Sequence, residues 1–408
     1  MAILRTRPET VLDDYGRLLR LAGYQDALPK DRDTLLKINI SWQTWYPACS
    51  STPWQLDGTI AAMLADGYAR SSLKAAHNRT VVVDAYKGEV NNGHRQVVVD
   101  KYGLENIHLY EPEVEWVRYE PKAEMLVLKD IYPDGILIPK LFIGRNVIQF
   151  PTVKTHVFTT ITGAMKNAFG GLLSERRHWT HSVIHETVVD LLAIQHEIHS
   201  GLFAVMDGTF AGDGPGPRAM RWHAKNVILA SADQVAIDAM SARIQGFDPL
   251  RLPFIRLAHE HGLGVGDPRQ IEVVGDVEAA EERWAFTRED TFASRGQHMI
   301  YHGPLKPLEG VLLRSPIVPW SYAASRLYHD VYWYPAVGRK RVDDALHTEW
   351  GHLFQDYVGG EVVREGNLAT RVAGVGALAA GVGLIALAGR RALRRGRRPP
   401  PEGPEEAS

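Results

Sequence analysis

The chain alternates between two hydrophobic rhythms. "TLLKINISW" from Thr34 and "RTVVVDAY" from Arg79 are short β-branched or aliphatic runs that predict strands, and "DGTIAAMLADGYAR" from Asp57 has the apolar spacing of a helix. A helix between two strands is the βαβ unit. "ENIHLYE", "MLVLKDI" and "RNVIQFPTVK" supply further strands, and a long helix is expected near His181 to His199. The strands "GLFAVMDG" and "KNVILAS", the helix "DQVAIDAMSARIQGF" and a last strand "IEVVGD" complete the regular pattern. This alternation predicts an α/β fold with a largely parallel sheet flanked by helices.

The pattern divides the chain into an N-terminal helical segment (1–33), an α/β core domain (34–280), an aromatic and proline-rich extension (281–357), a linker (358–371) and a tail (390–408). Before the tail stands "VAGVGALAAGVGLIALAG", Val372 to Gly389, an uncharged run long enough to cross a bilayer and followed by "RRALRRGRR". It predicts a C-terminal membrane helix. Its alanines and glycines are weakly hydrophobic, so a helix packed on a partner or lying at the interface is the alternative. Gly374, Gly376, Gly381 and Gly383 suit close helix packing, hence a homo-oligomer or a membrane partner. The arginines favour the cytoplasm by the positive-inside rule, which alone would place the main domain outside. The charged N-terminus has no export signal, so the main domain is expected in the cytoplasm, attached to the membrane.

Composition narrows the chemistry. With 46 Lys and Arg against 48 Asp and Glu, the 408 residues carry a formal charge of −2 and give no case for a nucleic-acid partner. Cys49 is the single cysteine, which excludes an intramolecular disulfide and a cysteine-ligated zinc or iron–sulfur centre.

Three stretches carry candidate chemistry. In "QFPTVKTHVFTTITGAMKNAFGGLL" the apolar residues Ile161, Ala164, Met165, Ala168, Phe169 and Leu172 form a buried helical stripe. Lys166 and Asn167 lie off it, with Thr162 one turn before Lys166. Lys154, Thr155 and His156 end the preceding strand, at the kind of strand-to-helix junction where α/β proteins collect anions. Helix capping and a solvated face are the structural alternative, above all for Thr159 and Thr160. "VMDGTFAGDGPGP" is expected to deliver Asp207 into a glycine-rich loop with Asp213 and Gly214, and it is neither a P-loop nor a dinucleotide fingerprint. A tight surface turn is the alternative there. "ERRHWTHSVIHETVVDLLAIQHEIHSG" sets His178, His181 and His185 on one helix face, and His181 with His185 has metal-ligand spacing. A polar helix surface is its alternative, and Arg176 and Arg177 upstream suit a carboxylate or phosphate.

Four blocks in order, "VKTHVFTTITGAMKNAFGGLL", "VMDGTFAGDGPGP", "ASADQVAIDAMSARIQGFDP" and "HEHGLGVGD", resemble the uncharacterised domain-of-unknown-function family 362 over roughly Thr34 to Asp276. Many members carry a cysteine-rich ferredoxin-like segment, and a chain with Cys49 alone departs from them, against an iron–sulfur cluster. His156 followed by Lys166 is also similar to the block of the nickel-pincer lactate racemase family that holds a catalytic histidine and the cofactor-bearing lysine. That resemblance implies a metal or pincer-like cofactor, with His181 as the nearest nickel-ligand candidate.

The reading is a membrane-associated enzyme for a small anionic or lipid-linked substrate, working by His/Lys acid–base or cofactor-assisted chemistry of isomerase or oxidoreductase type. His156, Lys166 and Asp207 are the expected catalytic residues. Lys154, Thr155, Thr162, Asn167, Arg176, Arg177, Asp213 and Gly214 are expected to bind substrate, and His181 and His185 to hold a metal. A metal- or cofactor-handling redox accessory and a non-catalytic membrane scaffold are the alternatives.

Overall fold

The computed structural model describes residues 1–80, 82–309 and 319–364. Its strands are β1 (Ala2–Arg5), β2 (Thr34–Ile38), β3 (Leu73–His77), β4 (Glu105–His108), β5 (Trp116–Tyr119), β6 (Ile136–Pro139), β7 (Asn146–Phe150), β8 (Thr152–His156), β9 (Thr160–Ile161), β10 (Gly201–Asp213), β11 (Arg221–Ser231) and β12 (Val274–Gly275). Ten of them form one mixed, largely parallel sheet in the order β12-β1-β11-β10-β7-β2-β3-β4, with β8 and β9 branching from β10. The pairs β2–β3, β3–β4, β2–β7 and β7–β10 are parallel, whereas β11 returns antiparallel between β10 and β1. The expected α/β fold is therefore present, and β5 with β6 makes a separate antiparallel pair.

Apolar layers cover both faces of the sheet. On one, helix α1 (Val11–Leu21) and helix α2 (Pro53–Ala65) pack with Trp42, Trp45, Tyr46 and Phe150. The aromatic extension completes this layer: Phe354 stacks on Trp45 with centroids 4.1 Å apart, and Trp333 and Tyr334 close on Trp42. On the other face Leu35, Val147, Met165, Leu191 and Ala239 join through helix α3 (Ile184–Ile198) and helix α4 (Gln234–Gln245).

Several elements differ from the sequence pattern for identifiable reasons. The first residues form β1 as well as a helix, because Ala2–Arg5 finds an edge on β11. "RTVVVDAY" is not a strand: β3 is the preceding "LKAAH", and Asp84 accepts a hydrogen bond from Lys87 N (3.1 Å), starting a helix at Ala85. "MLVLKDI" turns into a short helix because the Asp190 carboxylate accepts from the backbone N–H groups of Leu126, Val127 and Leu128 at 2.7–2.9 Å. The strand expected at "IEVVGD" shortens to two residues. The long helix begins only at Ile184, after a 3-10 segment Glu175–Val183, so His181 and His185 do not share one α-helical face.

Among the described residues no helix is long and apolar enough to cross a membrane. The run Val372 to Gly389, the tail and the second half of the linker lie outside the described residues.

Candidate functional site

β2, β3 and β8 run to their C-terminal ends at Ile38, His77 and His156, and the loops that leave them surround a cavity of about 330 Å³. The crevice beyond the carboxyl ends of parallel strands is the usual ligand position in such sheets. A smaller recess of about 50 Å³, lined by Lys154, Thr162 and Pro217, adjoins it through the shared wall residues His156, Lys166 and Asn167. The β10–β11 connection supplies Pro215 to Arg218 to the wall. That loop must approach β8 closely: a Cβ on Gly216 would fall 1.8 Å from the Thr155 carbonyl oxygen. From the aromatic extension Ser325 and His329 reach the same space.

The wall carries Lys37, Arg79, Lys166, Arg177 and Arg218, and none of the described residues lining the cavity is a carboxylate. Burial without a counter-charge disfavours the ammonium form. Lys166 is accordingly pushed down to about 7, first by burial and then by Lys154 and Arg177. Lys37 falls to about 7 through burial and Arg177, and Lys154 to about 8 through burial. The three amines differ in their bonding. Lys37 donates to the Ile38 carbonyl at 2.7 Å, and Lys154 donates to Thr152 Oγ1 at 2.7 Å and Cys49 O at 2.9 Å. Lys166 makes no hydrogen bond within the described residues and sits 5.7 Å from the centre of the Phe169 ring.

His156 is neutral in this setting. Burial, followed by Lys166, His181 and Lys154, holds it well below its ordinary value. Its Nδ1 accepts from the N–H groups of Phe158 (3.1 Å) and Thr159 (3.4 Å), which places the ring proton on Nε2. His181 is held down at about 4, mainly by burial, and its Nδ1 lies 3.1 Å from the His178 carbonyl, so its own Nε2 is the bare nitrogen. The two imidazoles thus have opposite tautomers.

Lys166 is held in place by backbone capping. Residues Ala164–Asn167 form one helical turn, and the buried Asp238 carboxylate accepts from Ala164 N (2.6 Å) and Met165 N (3.1 Å). Gly163 leaves the room this needs, since a Cβ there would overlap Asp238. All six residues of the expected apolar stripe are buried, although the helix breaks into two short turns, Ala164–Asn167 and Phe169–Leu172.

Asn167 lines the cavity and donates to Lys37 O and Gln149 Oε1, both at 2.9 Å. Thr162 lines the recess, bonding to Thr152 O at 3.2 Å, while Thr155 lies behind the wall and donates to Gly214 O at 2.7 Å. Asp207 is not in a loop, because β10 runs on to Asp213. It is fully buried away from the cavity, where its carboxylate accepts from Tyr15, Thr52, Trp54 and both the N–H and Oγ1 of Thr209. Asp213 pairs with Arg221 (2.9 Å) outside the cavity, and Gly214 takes the positive φ of +99° that turns the chain. Arg176 is exposed over the Trp179 ring. His185 stacks on Phe254 outside the cavity, whereas His181 lines it.

A second constellation, outside the sequence-based candidates, lies beside the wall. β3 and β4 pair in parallel with His77 opposite His108, and Glu89 comes from the helix Ala85–Asn91. Glu89 Oε2 lies 2.9 Å from His77 Nε2 and 2.8 Å from His108 Nε2. Among the described residues this is the one group of three or more His, Cys, Asp or Glu side chains with metal-ligand spacing.

The match to a known family decides the wider placement: the model of a domain of unknown function, DUF362, fits residues 34–243, just over half of the chain. The chain belongs to the DUF362 family. Every residue of the Lys/Arg-lined wall contributed by β2, β3, β8 and the Lys166 turn lies inside this DUF362 domain, and the extension that supplies Ser325 and His329 lies beyond it. The chain is also similar to "Thylakoid-associated protein sll1697" of Synechocystis sp., at 26% identity over 120 residues, which is 29% of this chain and 37% of that protein. The alignment therefore spans well under half of either protein. No solved structure matches.

Proposed function

We propose that this DUF362 protein is an enzyme that binds a small organic anion in the cavity and moves a proton next to the bound charge. The observation that carries the reading is a cavity with five basic side chains and, among the described residues, no carboxylate in its wall. Arg177 and Arg218 offer planar guanidinium groups for a carboxylate or phosphate. Lys166, with no hydrogen bond to hold it and a pKa brought down to about 7, serves as the base. The Nε2–H of neutral His156 donates to an oxygen on which negative charge develops, and Lys37 adds positive potential behind it. Asp207, placed by the sequence pattern among the catalytic residues, takes no part in this assignment because its carboxylate is used up in the core.

Two observations support a position at a membrane, namely the apolar run Val372 to Gly389 and the relative named thylakoid-associated. A lipid-linked anion therefore belongs among the substrates to be tried. The assay is a thermal-shift screen of the full chain against pyrophosphate, dicarboxylates and 2-hydroxy and 2-oxo acids, repeated on Arg218→Gln and followed by turnover with Lys166→Met. A stabilising anion whose effect needs Arg218, and turnover that needs Lys166, are expected. Anions that stabilise Arg218→Gln as well as the native protein, or unchanged turnover in Lys166→Met, would end this reading.

A second reading has a pincer-like cofactor joined to Lys166. His156, Lys166 and His181, the three positions singled out by the resemblance to lactate racemase, line the same cavity. Such a group would supply hydride-accepting chemistry, with His156 as the protein's proton carrier and the bare Nε2 of His181 as the nearest candidate to hold the nickel. Intact mass, peptide mapping at Lys166 and nickel analysis of natively purified protein separate this reading from the first.

A further inference from the structure

We infer that His77, Glu89 and His108 form a binding site for a divalent first-row transition metal of the Zn²⁺ or Fe²⁺ class, separate from the anion cavity and independent of the function proposed above. The site is built by the sheet itself. His77 and His108 are the last residues of neighbouring parallel strands and stand opposite each other in register, so both side chains leave the same end of the sheet. The helix that follows β3 then brings Glu89 down between them. Ligands come from three separate elements, each fixed by regular backbone hydrogen bonds, which is the rigidity a selective site needs.

The donor set points to the metal class. Two imidazole nitrogens and one carboxylate oxygen, all within 4.8 Å of one another, match the His₂-carboxylate sets of zinc and non-haem iron, and they disfavour Mg²⁺ and Ca²⁺, which require oxygen donors. Zinc–nitrogen and zinc–oxygen bonds of about 2.0–2.2 Å are reached from the present Nε2 to Oε2 separations of 2.8 and 2.9 Å by small side-chain adjustments.

Hydrogen bonding alone accounts poorly for the arrangement. Glu89 Oε2 is the focus of His77 Nε2, His108 Nε2 and Asn106 Nδ2 (2.7 Å), three donors on one oxygen, whereas Oε1 has Arg95 at 3.9 Å. His77, with no exposed surface, also has its Nδ1 without a hydrogen-bond partner. A cation at the shared centre replaces two of the three convergent donors by metal–ligand bonds and leaves Asn106 to orient the carboxylate, the role an outer partner plays in known sites. His108 keeps partial access to solvent, with 20% of its side chain exposed, which provides an entry path. The site adjoins the cavity, since His77 is followed directly by Asn78, Arg79 and Thr80 of the cavity wall, but none of His77, Glu89 and His108 lines it.

The test uses the full chain, stripped with chelator and titrated with Zn²⁺ alone and with Co²⁺ alone, read by calorimetry, by cobalt ligand-field absorption and by melting temperature. One equivalent with a raised melting temperature and a visible cobalt spectrum is expected. Glu89→Gln keeps the size of the side chain and one acceptor oxygen, and His108→Ala removes a partly exposed ligand. Each is expected to lose more affinity than the about 10- to 100-fold that removal of an outer partner costs. His181→Ala serves as the control and is expected to retain the full equivalent. No binding to the stripped native chain, or binding that survives in both Glu89→Gln and His108→Ala, would overturn the assignment and leave His77, Glu89 and His108 as a hydrogen-bonded strap between two strands.

Discussion

Replacing Lys166 by methionine removes a charge that the fold disfavours and keeps most of the apolar stem. In the unfolded chain this lysine has its ordinary value near 10.5, while in the cavity it falls to about 7. The unfolded state therefore binds the extra proton between those values, and native stability rises with pH across the window, the penalty being complete below about 7. At pH 7.5 the linkage is worth about 4 kcal/mol, and access of water to the cavity reduces it towards about 2 kcal/mol. Lys166→Met is expected to be more stable than the native chain by about 2–4 kcal/mol at pH 7.5. The gain should shrink to about 1 kcal/mol at pH 9.5, where the unfolded lysine is closer to losing its proton. Urea unfolding followed by tryptophan fluorescence at both pH values measures it. A variant no more stable than the native chain at pH 7.5, or a gain that does not shrink by pH 9.5, would show that Lys166 is not a desolvated, uncompensated amine and would remove the basis for its role as a base.

The same lysines give binding a proton signature: a bound anion raises the values of Lys37, Lys154 and Lys166, so calorimetry between pH 7 and 9 is expected to show net proton uptake, with affinity falling as pH rises. Asp207→Asn should cost about 3 kcal/mol in urea unfolding, since the amide replaces one acceptor oxygen of a carboxylate that takes five donors, and anion binding should persist in the folded fraction. Gly216→Ala forces the β10–β11 loop off the Thr155 carbonyl and is expected to cost about 1–3 kcal/mol and to weaken anion binding through displaced Arg218. Cys49, buried and raised to about 11 by burial, should react with a thiol reagent only after unfolding, and fast labelling of the native chain would refute its placement.

Much of the cavity was legible before the fold was known. The sequence pattern groups His156, Lys166 and Asn167 at one site because a strand, a turn and a short apolar-striped helix follow one another within about thirty residues, a local arrangement that side-chain spacing reports. The sequence also announces the α/β class through its alternating periods. Its local rules failed where a distant group won. Asp190 converts "MLVLKDI" from strand to helix across about sixty residues, and Tyr15 and Trp54 draw Asp207 into the core across more than 150. Lys37, Arg218 and His329 join the wall from three remote segments, so no spacing could have grouped them with Lys166. His77 and His108 each end a strand, but their meeting depends on the register of β3 against β4 and on the helix that lowers Glu89 between them, neither of which residue spacing reports. Strong local periodicity is enough to set most strands and helices, and it marks the strand-to-helix junction that bears His156 and Lys166. Which charges share a cavity and which are neutralised in the core is settled by the folded packing, because desolvation and long-range pairing depend on where residues distant in sequence come to rest.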